Sequence, residues 1–375
     1  MVFKFTKDLS LEQIDNKRVI KKETTFKNKV VFVNGFSASG KTMLAPIISS
    51  MQNVESIIFP YEIEWISSFL YSSNIDKNSY QEFLKQYVDH TTYNQMMSRN
   101  SNFRPSDISS VLQSRKKVDY LKRLFQKGDN LIPSKIKLQK PIINFTSSHL
   151  IFFINEISEA FSERLLFIET FRDPLYMFKQ IKILYNDVYI KNPEKIFTFQ
   201  SIQNNKKSFF FDFFSKDDVF NEIDKINLNE FVVCYLERIF NFYFNLNFEE
   251  INAHSGKIIF MPFEKFVINP NIWIDEILKT LKIKKTISLT KELRKQKVPR
   301  KYIHQGYSRS VYKRYGNQSV NKKFNSSEDA DKEYKSNILL EFRDEKDKKL
   351  FNRLEKISNE YRNWIKKFDD KISYG

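Results

Sequence analysis

The chain has 375 residues, 41% hydrophobic and 29% charged, enough apolar material to bury a large core, and its length suggests about two domains. A formal net charge of +17 favours anionic partners, but the basic residues are interleaved with acids. No helix-turn-helix signature, zinc-ligand spacing or Arg-rich arm points to nucleic acid. The single cysteine, Cys234, rules out an intrachain disulfide, and no stretch reaches the ~18 apolar residues of a membrane span; residues 1–18 lack a signal-peptide core, so a cytoplasmic protein is expected.

Residues 1–28 are polar and read as irregular. Residues 30–34 form a short apolar strand, followed by a glycine-bounded loop and a helix over 41–51. A second apolar run spans 56–60, and a helix is expected over 61–71. Residues 76–128 read as polar helix, interrupted at 100–105 by Asn100-Ser101-Asn102-Phe103-Arg104-Pro105. Further strands are expected at 141–146, 165–170 and 257–262, with helices near 150–161, from about 175, over 228–246 and over 273–281. Residues 186–228 read as an irregular insertion. Over 344–368, Leu350, Leu354, Ile357, Tyr361, Trp364, Ile365 and Phe368 recur at helical spacing, an amphipathic helix that must dock on something.

Alternating strands and helices, with strands that lack period-two patterning, predict an α/β fold: a P-loop-type three-layer architecture around a central, mainly parallel sheet. Helical insertions are expected near 65–140 and 185–230. The α/β domain is placed at 1–315, with 316–375 supplying a linker (best candidate 316–335) and a C-terminal helix docked on the same domain.

Three segments carry chemistry. In the first, Gly35, Gly40, Lys41 and Thr42 fit G-x-x-x-x-G-K-[ST] at every specified position. Backbone N–H groups of such a loop and the following helix N-terminus cradle phosphate or sulfate oxygens, with Lys41 adding charge and Thr42 a hydroxyl. In the second, the strand before Arg172-Asp173-Pro174 ends in an arginine able to fork onto a phosphate. The third is the strand entering Phe263-Glu264-Lys265-Phe266-Val267-Ile268-Asn269-Pro270.

In this order the three blocks resemble those of the sulfotransferases that use 3′-phosphoadenosine 5′-phosphosulfate, over roughly residues 29–285, with poor matching at 65–140 and 185–230. The resemblance implies that the loop Gly35, Ser37, Ala38, Ser39, Gly40, Lys41 and Thr42 grips the 5′-phosphosulfate of this co-substrate and that Arg172 binds its 3′-phosphate. It implies a structural, bracing role for Glu264 and a basic late segment over the nucleotide, here Arg300 and Lys301 with Gly306 downstream. Two positions depart from the pattern. Ala38 stands where the family carries a basic residue that assists the leaving group, a charge Lys41 can supply from the other side. Gln180, with Lys179 beside it, stands where the family has a serine eight residues after the arginine.

Sulfuryl transfer needs cations at the leaving group and a base for the acceptor's proton. Glu62 follows the second strand in a region where many family members carry a catalytic Glu, with Glu64 as its competitor. His149 follows the 141–146 strand near a family histidine. Arg99 and Arg104 flank a loop and could meet an anionic acceptor, although a plain surface role accounts for them better. The histidines at 90, 149, 254 and 304 are isolated, so no metal is predicted. Two other readings stay open: an ATP–Mg²⁺ kinase or NTPase, favoured by the Lys41-Thr42 pair, and a non-catalytic family member that binds a nucleotide or an anionic glycan. The acceptor is open among carbohydrate, lipid, metabolite and protein, and the basic charge favours an anionic one.

Overall fold

Three strands are buried from end to end. In the computed structural model every residue of β1 (Val30–Asn34), β3 (Ile142–Thr146) and β4 (Leu165–Phe171) is buried, so both faces of the sheet are covered. The structure describes residues 20–126, 129–187, 200–203, 206–209, 227–303, 326–369 and 371–374. The remaining strands are β2 (Val54–Ile58), the hairpin β5 (Gln200–Gln203) and β6 (Lys206–Phe209), then β7 (Lys257–Pro262) and β8 (Ser373–Tyr374). The main sheet has the order β2-β3-β1-β4-β7-β8, parallel throughout except for the antiparallel edge strand β8. Val33 pairs with Thr146 on one side and Asn34 with Glu169 on the other, which sets the ends of β3 and β4 beside the start of the glycine loop.

Helices fill the connections. The first half carries α1 (Lys41–Ser49), α2 (Tyr61–Tyr71), α3 (Lys77–Met96), α4 (Lys117–Leu124), α5 (Ile132–Gln139), α6 (Ile154–Phe161) and α7 (Pro174–Tyr185). The second half carries α8 (Leu228–Phe244), α9 (Phe248–Asn252), α10 (Phe263–Ile268), α11 (Asn271–Leu281), α12 (Ile287–Lys295), α13 (Ser327–Leu339) and α14 (Glu345–Trp364). Many of the described phenylalanines are core: Phe32 on β1 packs on Phe145, Phe161 and Phe167 with ring centroids 5.1 to 6.1 Å apart. Each such ring removed from water stabilises the fold by about 1.5–3 kcal/mol.

Several boundaries differ from the sequence reading. The second strand starts two residues earlier, at Val54, and Phe59-Pro60 already lead into α2. Residues 150–153 are 3-10 helix before α6 begins, and α12 and β8 carry no strong pattern of their own. Residues 327–335, expected as linker, are helical in α13, capped by Ser326, whose side chain accepts from the Asp329 N–H; 316–325 lie outside the described residues. Most of the expected insertion over 186–228 also lies outside them, apart from the β5–β6 hairpin.

Helix α14 buries Leu350, Phe351, Leu354, Ile357 and Tyr361 against α8 and α7, which brings this late helix back to the helix that follows Arg172. No helix among the described residues is long and apolar enough to cross a membrane.

Candidate functional site

β1 ends at Asn34, and the loop turns at Gly35. There φ is +148°, and a Cβ would stand 2.3 Å from Thr170 Oγ1 on β4. Only glycine fits that approach. The loop then makes a left-handed step at Ala38 (φ 69°) and a second at Gly40 (φ 105°) before α1 begins. No side chain caps α1; the Met43 and Leu44 N–H groups donate to Gly40 O, and the first two, of Lys41 and Thr42, are those that can meet an anion. Ser39 is buried, its hydroxyl 2.8 Å from Thr170 Oγ1, which in turn donates to Asn34 O at 2.8 Å. Ser37 is half-buried and Thr42 is exposed on the first turn of α1.

Lys41 folds back over this loop, its Nζ donating to Gly35 O at 2.7 Å and to Phe36 O at 3.3 Å. Burial lowers its pKa from the ordinary lysine value, opposed by the charges of Glu64 and Glu169. Glu64 is held on the other side: the Ser148 N–H donates to its Oε1 at 2.6 Å. Burial pushes its carboxyl well above the usual range, with that hydrogen bond and Lys41 opposing. Burial thus moves the proton affinities of Lys41 and Glu64 towards each other, while each charge favours the other.

Glu62 stands apart from this pair. It is exposed, and its Oε2 accepts from the Tyr87 hydroxyl at 2.8 Å on α3. Their two-residue spacing decides this, because Glu62 and Glu64 point about 160° apart around α2. His149 is buried in a left-handed conformation (φ 63°), edge-on to the Phe36 ring, with Nε2 3.3 Å from the Tyr235 hydroxyl. Burial, reinforced by Lys41, lowers its pKa to about 3. A neutral imidazole so unwilling to take a proton is a weak base, and its packing assigns it to the wall of the site.

Behind Lys41 lies Glu169 on β4, fully buried, accepting from Asn34 Nδ2 at 2.6 Å and from the Tyr243 hydroxyl. Burial raises its pKa to about 7. Asn34 Oδ1 also accepts from Ser147 Oγ (3.0 Å) and the Leu150 N–H (3.2 Å), which ties the ends of β1, β3 and β4 together. These buried partners carry no sequence signal beyond their place at strand ends.

The second half of the site forms around one ring. Phe263, at the start of α10, lies against Gly40 so closely that a Cβ there would fall 2.3 Å from its Cδ2. The Arg172 guanidinium lies 4.6 Å from the same ring centroid and that of Arg300 5.3 Å. Both arginines are buried. Arg300 is oriented by Lys297 O (3.1 Å), Ile303 O (2.9 Å) and Met43 Sδ on α1 (3.4 Å). The loop, the strand-end arginine, the late aromatic-Glu segment and the late basic segment therefore meet at one place. Two buried guanidiniums stacked on one ring make a strongly electropositive corner beside an open helix N-terminus.

Arg172 is held in place by a latch. Asp173 accepts from the Leu175 N–H (3.0 Å), Ser358 Oγ (2.6 Å) and Arg362 Nε (2.8 Å). Glu264 accepts from the Asp173 N–H (2.9 Å) and the Tyr361 hydroxyl (2.7 Å). Burial, with Asp173 adding repulsion, raises the Glu264 pKa to about 6. Ser358, Tyr361 and Arg362 all lie on α14, and no sequence motif marks them.

Other expected residues lie elsewhere. Gln180 is half-buried on α7, and Lys179 on the same helix lies 3.8 Å from Glu341. Arg99 pairs with Asp129 at 2.9 Å on the surface, Arg104 is exposed, and so is Lys301. Gly306 and His304 lie outside the described residues. Among the described residues no group of three or more His, Cys, Asp or Glu side chains is arranged to hold a metal.

No family model matches the chain, and no curated protein matches it. Among solved structures it is similar to the sulfotransferase domain from the curacin biosynthetic pathway, with 9% identity, a TM-score of 0.33, and coverage of 88% of this chain and 98% of that one.

Proposed function

We propose that the protein transfers a sulfuryl group from 3′-phosphoadenosine 5′-phosphosulfate to a hydroxyl or amine acceptor. One observation carries this reading: Phe263 seats Arg172 and Arg300 beside Gly40, placing a two-arginine anion site next to a phosphate-type loop. A nucleotide with phosphates at both ends of its ribose fits that pairing, with the 5′ end on the first turn of α1 and the 3′-phosphate at the arginines.

In the transfer the acceptor oxygen or nitrogen bonds to sulfur as the sulfur–oxygen bond to the phosphate breaks, and the electron pair leaves with the phosphate. Lys41 stands where charge develops on that leaving group, and its lowered pKa suits it to donate a proton there. This supplies the charge that Ala38 does not. Glu64 is the candidate base, because burial raises its proton affinity towards neutrality and the Ser148 N–H fixes it just past β3, in the field of Lys41.

A kinase reading draws on the exposed Thr42 but needs a carboxylate for magnesium. Both oxygens of the nearest strand-borne carboxylate, Glu169, already accept hydrogen bonds from Asn34 and Tyr243.

The test is thermal stabilisation by 3′-phosphoadenosine 5′-phosphate beside ATP–Mg²⁺ and AMP. At a hundred times its dissociation constant a ligand adds about 2.7 kcal/mol of stability. The 3′-phosphorylated nucleotide alone should stabilise the wild type, and Arg172→Lys, which keeps charge but loses the fork, should weaken the effect. Stabilisation by ATP–Mg²⁺ alone overturns the reading.

A further inference from the structure

Helix α4 is docked the opposite way round from an ordinary amphipathic helix. Its polar side faces the protein, across β2, the outermost strand of the main sheet. Tyr120 is fully buried; its hydroxyl donates to Glu55 Oε2 at 2.5 Å and accepts from the Ser56 N–H at 2.7 Å. The Arg123 guanidinium forks onto both oxygens of the buried Glu55, at 2.6 and 3.0 Å. Lys116, at the N-cap, donates through Nζ to Val54 O. These three side chains cover backbone and carboxylate groups that an outer strand would otherwise leave bare.

The apolar side is left in solvent. At about 100° per residue, Val118, Leu121 and Phe125 lie within roughly 60° of one another, opposite the side that carries Lys116, Tyr120 and Arg123. Val118 is 54% exposed, Leu121 40% and Phe125, just past the last turn, 86%; Leu124, on the flank, is 47% exposed. Exposed Lys122 borders this ridge on one side and exposed Lys117 on the other, while Asp119 lies back towards Arg123. An apolar ridge held out between two cations marks a docking surface.

We propose that α4 seats the protein on an anionic lipid surface, with Val118, Leu121 and Phe125 in the boundary between headgroups and acyl chains and Lys117 and Lys122 at the lipid phosphates. This goes beyond the sulfuryl-transfer reading and does not depend on it. Charge selects the sign of the partner: both flanks of the ridge are cationic, on a chain of net charge +17. Extent selects its kind. Even wholly covered, four partly exposed side chains fall well short of the roughly 800 Å² per partner of a stable protein interface. A second copy packed ridge to ridge would set Lys117 and Lys122 against their own like charges. A nucleic acid would take the lysines and leave the ridge in water. A lipid surface takes both at once: the apolar side chains enter it, and the lysine stems run alongside so that the ammonium groups stay at the headgroups. So short a ridge gives reversible, peripheral binding.

The experiment is co-sedimentation of the full chain with vesicles of phosphatidylcholine alone and of phosphatidylcholine mixed equally with phosphatidylglycerol. The mixed vesicles should bind the wild type, less so at high salt, and phosphatidylcholine alone should bind it little. Phe125→Ser should weaken that binding about tenfold or more, and Lys117→Gln and Lys122→Gln about fivefold each. All three side chains are exposed, so each variant should keep the thermal unfolding midpoint of the wild type. Failure to bind the mixed vesicles overturns the proposal. So does binding that all three substitutions leave unchanged, which would assign it to the general positive charge. Dimers that form with rising concentration and are lost in Phe125→Ser would give the ridge to a second copy. Preferential binding of soluble polyglutamate, weakened by the same substitutions, would give it to an acidic protein. Either result overturns the lipid surface. None of these readouts involves the nucleotide, so failure of the donor reading is a separate result.

Discussion

Two buried polar clusters flank the loop strand β1, and they are built in opposite ways. In the latch, each carboxylate oxygen of Asp173 and Glu264 accepts at least one hydrogen bond, from Leu175, Ser358, Arg362, Tyr361 and the Asp173 N–H. In the pocket, Glu64 accepts one backbone hydrogen bond among the described residues, and Lys41 donates only to carbonyls of its own loop. A saturated network fixes a backbone in one place. An undersaturated pair keeps bonding capacity for a partner that arrives later. The latch therefore acts as scaffold for Arg172, and the proposed transfer belongs to the pocket.

The sharpest way to break this contrast is to neutralise its reactive member. Glu64→Gln should lower turnover roughly a hundred- to ten-thousand-fold, whereas Glu62→Gln should change it little. In the wild type the rate should rise with pH as Glu64 loses its proton and fall again as Lys41 loses its own. Because burial moves the two pKa values towards each other, the plateau should be narrow and near neutral. Glu64→Gln should abolish the acid limb. A steady-state pH series on both variants decides it, and a larger loss in Glu62→Gln would reverse the assignment.

The ring joining the two clusters comes next. Gly40→Ala puts a Cβ into Phe263 at a backbone angle that favours glycine, and it should cost roughly 2–4 kcal/mol in urea unfolding. In the latch itself, Arg362→Ala leaves the buried Asp173 without its ion pair. Arg362 is half-exposed, so solvent screens part of the loss, and about 2 kcal/mol is expected. Tyr361→Phe removes one donor from Glu264 and should cost about 1 kcal/mol, with turnover of the folded fraction unchanged. Equal costs for these two variants and for Glu64→Gln in unfolding would erase the distinction between scaffold and pocket.

A further test lies in the acid limb of stability. His149 has a folded pKa of about 3 against an ordinary 6.5. Its contribution is present above 6.5 and is lost as pH falls towards 3, because the unfolded chain takes up the proton first. The difference in Tm between His149→Gln and wild type should therefore shift in favour of the variant across that window. A constant difference would show that the imidazole is not buried as neutral.

The loop was legible because it is local. Gly35, Ser39, Gly40, Lys41 and Thr42 lie within eight consecutive residues, and their spacing states the turn geometry that the backbone adopts. Arg172 was legible for a similar reason, sitting between an apolar strand and a helix-starting proline. The identity of the facing carboxylate was not, because Glu62 and Glu64 are both acidic residues in the first turn of α2, and only packing decides which one faces Lys41. The latch was illegible altogether: Arg362 lies 189 residues from Asp173, and nothing in an exposed-looking helical arginine announces a buried partner.

Local pattern by itself determined the alternating α/β order, the glycine loop, the strand-end arginine and the amphipathic C-terminal helix, since each is written in spacing over a few neighbouring residues. Only tertiary structure decided which strands lie side by side, that Phe263 gathers Arg172, Arg300 and Gly40, and that α14 locks Asp173. The proton affinities of Glu64, Lys41 and His149 were decided there too. Those depend on burial and on charges brought together from distant parts of the chain, quantities that have no value until the chain has folded.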